Sequence, residues 1–93
     1  MKHLIMGSAE RGIMIREDTV NISGARMIYR LFHVRSARER TYKISVTGMG
    51  ESSTYRFGSD RRKAYGIYGR IVRGAVTPCT LADIAEDFAA ESR

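Results

Sequence analysis

The hydrophobic pattern changes period once, near residue 58, and that switch constrains the fold more than any other feature. Before it, apolar and polar residues alternate, which is the period of a strand. After it, apolar residues recur at three and four positions, which is the period of a helix. A run of strands followed by helices is an α+β layout. The expected architecture is an antiparallel β-meander of three to five strands, with two C-terminal helices packed on one face.

Thr41 to Thr47 sets Tyr42, Ile44 and Val46 against Thr41, Lys43, Ser45 and Thr47, as a half-buried antiparallel strand requires. Ser52 to Phe57 alternates in the same way. Gly48-Met49-Gly50 lies between them, and its two glycines are expected to supply the positive φ angles of a hairpin turn. Residues 26–34 are rich in β-formers (Ile28, Tyr29, Phe32, Val34) and read as a central strand. Arg35 to Arg40 forms the polar loop between these strands. Gly12–Arg16 and Asp18–Ile22 read as two further short strands, followed by turn residues at Asn21 to Gly24.

Past Gly58, Ser59 is placed as an N-cap and Asp60 in the first turn, opening a helix over about 60–74. Ala64, Ile67, Tyr68, Ile71, Val72 and Ala75 form its apolar stripe. Gly66 and Gly69 each cost about 1 kcal/mol there, and close contact with a neighbouring backbone is the ordinary reason for such residues. Gly74 is expected to end the helix in the left-handed conformation. Thr77 and Pro78 then start a second helix over about 78–91, with Leu81, Ile84, Ala85, Phe88 and Ala89 as its stripe.

With 93 residues the chain has room for a single domain, with no linker, repeat or low-complexity tract to divide it. No apolar run approaches the roughly 20 residues that span a bilayer, so no membrane association is expected. Met1 to Ala9 begins like a secretory signal, but its apolar stretch is only Leu4–Met6 and Glu10 and Arg11 follow. A native N-terminus and a cytoplasmic location are therefore expected. Cys79 is the only cysteine, which excludes an internal disulfide and Cys-based zinc sites, and it reads as a small buried hydrophobe.

The net charge of +6 is unevenly distributed. Residues 1–75 hold 15 Lys/Arg against 6 Asp/Glu, while residues 76–93 hold Arg93 against Asp83, Glu86, Asp87 and Glu91.

No catalytic constellation can be named. His3 and His33 are the only histidines, and neither takes part in a His-x-x-x-His or Glu-x-x-His spacing. Asp83, Glu86 and Asp87 share a helix face, where a solvated surface is the ordinary reading and a divalent-cation site the special one. Gly7 to Gly12 lacks the Gly-Lys-Ser/Thr ending of a phosphate loop, and Gly66-Ile67-Tyr68-Gly69 falls inside a helix. No cofactor or metal is implied. Thr80 to Glu86 resembles the first helix of a helix-turn-helix, but as a recognition helix the second helix would offer acids to phosphates.

From Glu51 to Glu91 the chain resembles a family of small uncharacterised proteins of Gram-positive anaerobic bacteria. The similarity rests on Tyr29-Arg30-Leu31, on Val72 to Leu81 (Val-Arg-Gly-Ala-Val-Thr-Pro-Cys-Thr-Leu) and on Asp83-Ile84-Ala85-Glu86-Asp87-Phe88. Members end in a Val-x-Pro-x-x-Leu…Glu-Asp-Phe segment, and residues 1–25 lie outside the likeness. The resemblance implies a domain of unknown function, with no site residues to carry over.

Two functions are expected from these residues. The first is a non-enzymatic protein-interaction or regulatory module, for which an open sheet edge and oppositely charged helices offer routes to a homodimer. The second is sequence-tolerant nucleic-acid binding by Arg35, Arg38, Arg40, Arg61, Arg62 and Lys63.

Overall fold

The computed structural model describes residues 11–36 and 38–91. The signal-like segment 1–10 and His3 lie outside the described residues, as do Ala37, Ser92 and Arg93. Four strands form one sheet in chain order: β1 (Arg11–Ile22), β2 (Ala25–Arg35), β3 (Arg40–Gly48) and β4 (Glu51–Phe57). Each is antiparallel to the next. Helix α1 (Arg61–Arg73) follows, and a 3-10 turn (Pro78–Thr80) leads into helix α2 (Leu81–Glu91).

Pleat parity decides which residues meet the helices. Met27, Tyr29 and Leu31 of β2 and Tyr42, Ile44 and Val46 of β3 share one face, and the helical stripes Ala64, Ile67, Tyr68 and Ile71 and Leu81 and Ala85 close over it. Tyr29, Leu31, Ile44, Ile71 and Leu81 are completely buried. Tyrosine hydroxyls fasten the layers at their polar ends. Tyr29 donates to the Val76 carbonyl at 3.0 Å. The Tyr68 hydroxyl faces two acceptors, Asp18 Oδ2 at 2.8 Å and the Tyr29 carbonyl at 3.1 Å.

In its backbone elements the structure departs from the sequence expectations at five places. Gly12–Arg16 and Asp18–Ile22 belong to one strand. Met14 pairs with Phe32 and Arg16 with Leu31, so Ile15 is an extra residue in a β-bulge. The hairpin after β3 turns on Met49 (φ 54°) and Gly50 (φ 76°), not on two glycines. Gly48 is glycine for space, because a Cβ there would lie 2.8 Å from the Arg26 carbonyl oxygen and overlap Met27 Sδ. The N-cap of α1 is Asp60, not Ser59; its carboxylate accepts from the Lys63 N–H at 3.1 Å. Gly66 and Gly69 touch no neighbouring backbone: a Cβ at Gly66 would meet nothing, and at Gly69 only the Arg73 side chain.

The fifth departure is at the end of α1. Gly74 keeps a right-handed conformation and Ala75 (φ 52°) takes the left-handed one. The Ala75 N–H bonds the Val72 carbonyl at 3.1 Å and the Val76 N–H bonds the Ile71 carbonyl at 3.2 Å, which is a Schellman closure. Buried Val76 and Ile71 supply its apolar contact. Alanine is strained there, so Ala75→Gly is expected to stabilise the fold by about 1 kcal/mol and raise the thermal midpoint by roughly 5 °C. A lower midpoint in calorimetry would contradict this account of the turn.

Candidate functional site

Helix α1 carries Arg61, Arg62, Lys63, Arg70 and Arg73 and no acid. Its apolar stripe is spent on the core, so the cations fall on the two flanks and the outer ridge. On the outer side they line a groove of about 500 Å³ formed by Arg62, Lys63, Ile67, Arg70 and Arg73, with Asp60 at one end and exposed Gly66 leaving it open. Arg70 is held in place: its guanidinium lies 3.9 Å from the Phe88 ring centroid and its Nη1 is 2.8 Å from Glu91 Oε1. Across the same layer α2 exposes Asp83, Glu86 and Asp87, which make no ion pair among the described residues. The Tyr55 hydroxyl is pushed above its ordinary pKa, first by burial and then by the negative charge of Glu86.

On the other flank of α1 lies a cleft of about 420 Å³. Its walls are His33 and Tyr42 from neighbouring strands, Arg40 at the start of β3, Ser59 before α1, and Arg61 and Tyr65 from the first turns of α1. Ile15 completes the lining, because the bulge in β1 re-aims its side chain. The His33 and Tyr42 rings sit 5.0 Å apart at 34°, and the Arg61 guanidinium stands 5.5 Å from the Tyr65 ring. Neither Arg40 nor Arg61 has an ion-pair partner among the described residues.

The six cations expected to act together are therefore divided. Arg40 and Arg61 meet at the cleft, whereas Arg62 and Lys63 face the outer groove. Arg35 lies opposite Arg40 in the register, and exposed Arg38 sits in the β2–β3 loop; neither lines either cavity. Arg70 and Arg73 in the groove and Tyr42, Tyr65 and His33 in the cleft are not among those six. The signal for the first pair was present, since Lys63, Arg70 and Arg73 recur at helical spacing. For the cleft no local signal exists, because its walls come from four separate segments.

Cys79 is exposed, not buried: the 3-10 turn places it beside Thr77, whose Oγ1 is 3.6 Å from its sulfur. Among the described residues no group of three or more His, Cys, Asp or Glu side chains is placed to hold a metal ion. No described helix is long and apolar enough to cross a membrane. The β1 edge is interrupted by its bulge and carries Arg16, Glu17 and Asp18, features that discourage pairing with another strand. No family model, curated protein or solved structure matches the chain.

Proposed function

We propose that the protein is a non-enzymatic interaction module that self-associates through its helical layer. The observation that carries this reading is the pairing of opposite, unsatisfied charge in one layer: the α1 groove presents Arg62, Lys63 and Arg73, and α2 presents Asp83, Glu86 and Asp87. A two-fold axis over that layer sets α1 of one copy against α2 of the other, twice, as an isologous contact requires. Gly66 fits the same reading. A mid-helix glycine costs about 1 kcal/mol, no internal neighbour needs the space, and a second helix lying over the groove would.

Contacts of this kind are screened, since the Debye length at 0.1 M salt is about 10 Å. Sedimentation equilibrium at low salt should give twice the chain mass of 10.5 kDa, reverting to one chain mass as salt rises. Two charge-reversed variants, R62E/K63E and D83K/D87K, should each be monomeric and should form a heterodimer when mixed. A wild-type protein that stays monomeric at millimolar concentration and low salt would end this reading. A second reading, sequence-tolerant nucleic-acid binding, is favoured by one observation: Arg40 and Arg61 border aromatic rings.

A further inference from the structure

The cleft at the end of the sheet carries the second reading further, from a charged surface to a defined pocket, and it does not depend on self-association. We infer that this cleft binds a single nucleotide unit, with the phosphate on Arg40 and Arg61 and the base against the rings of Tyr65, Tyr42 and His33.

Three properties converge on that ligand class. The volume of about 420 Å³ suits a small molecule and not an extended peptide. Both guanidinium groups are without an ion-pair partner among the described residues. A phosphate oxygen pair is the planar, bidentate acceptor that such groups match best. The remaining walls are rings. His33 and Tyr42 lie against each other at a tilt of 34°, and Tyr65 is part-exposed with Arg61 at its face, so a base entering there finds both a stacking surface and a cation. No hydrogen bond engages the Tyr42 or Tyr65 hydroxyl or the His33 ring nitrogens among the described residues, which leaves them available to base edges or sugar. The apolar floor at Ile15 is where the strand breaks register, and bulges of this kind commonly border binding sites.

The ligand chemistry has two sources, a free mononucleotide or one nucleotide of a single strand, and titrations followed by amide chemical shifts separate them. The probes are adenosine and uridine monophosphates, an eight-residue oligo-dT and inorganic phosphate. Shifts at Ile15, His33, Tyr42 and Tyr65 are expected with the mononucleotides, the oligonucleotide or both. Arg40→Gln and Arg61→Gln should each weaken binding about tenfold, and Tyr65→Ala should do the same for nucleotides while leaving phosphate unaffected. The R62E/K63E variant controls for bulk charge and should keep the cleft response. Inorganic phosphate binding as well as a nucleotide would overturn the role of the rings. Oligonucleotide binding that leaves the cleft signals unmoved would overturn the pocket alone, and the absence of any response at millimolar ligand would overturn the nucleic-acid reading with it.

Discussion

Between pH 10 and 11 the protein is expected to lose about 1 kcal/mol of stability for each tyrosine that keeps its proton only in the folded state. Tyr68 is the strongest case. Burial raises its pKa first, the hydrogen bond to Asp18 and the repulsion from that carboxylate raise it further, and Arg16 opposes them only in part. Tyr29 is also raised, by burial alone. In the unfolded chain both titrate near pH 10. Below that value both states hold the proton and stability is flat. Above it the unfolded chain releases a proton that the folded protein retains, so stability falls until the folded value is reached. Urea unfolding at pH 9, 10 and 11 measures the slope. Tyr68→Phe should lose about 2 kcal/mol at neutral pH, because a hydrogen bond to a charged acceptor disappears, and should show a shallower alkaline decline. Parallel slopes for the variant and the wild type would show that Tyr68 does not control this dependence.

A larger effect is expected at Tyr29, which joins the sheet both to the connection between the helices and to Tyr68. Its ring is completely buried, its hydroxyl reaches the Val76 carbonyl between the helices, and its own carbonyl is one of the two acceptors facing Tyr68. Tyr29→Ala removes the ring and the anchor together, at about 4 kcal/mol. A domain of this length holds roughly 5–14 kcal/mol in total, so the variant should retain little margin and unfold near physiological temperature. Tyr29→Phe keeps the ring and leaves one buried carbonyl without its donor, at about 1–2 kcal/mol. The ratio of the two urea midpoints is the informative quantity. Equal losses would mean that the hydroxyl, not the ring, carries the position.

The elements were legible because their apolar residues answer to one partner surface. Tyr42, Ile44 and Val46, and Ala64, Ile67, Tyr68 and Ile71, are written at the period of the structure they adopt and are buried accordingly. The first strand was harder to read for a physical reason. Ile13 and Ile15 have odd parity while Val20 and Ile22 have even parity, and a single inserted residue at the bulge reconciles them. The same phase change reads, from sequence alone, as two strands. Two assignments, the hairpin turn and the end of α1, failed where a non-glycine residue takes the left-handed conformation beside a glycine: Met49 beside Gly48 and Ala75 beside Gly74. Composition identifies such a turn but not which of its residues bends backwards. The charged flanks of α1 could be read from helical spacing, whereas the cleft exists only after Ile15, His33, Arg40, Ser59 and Tyr65 have been brought together by folding.

The order of the elements bears on how the chain is made. Every strand pairs with its immediate neighbour, so the whole meander can zip together while the helices are still inside the ribosome. Its oily side, with Met27, Leu31, Ile44 and Val46, would then face water or a chaperone until Ile67, Ile71 and Leu81 emerge and swing over it. The last third of the polypeptide thus works as a built-in cover for the first two, and damage there would show itself as insoluble protein and not merely as a missing helix.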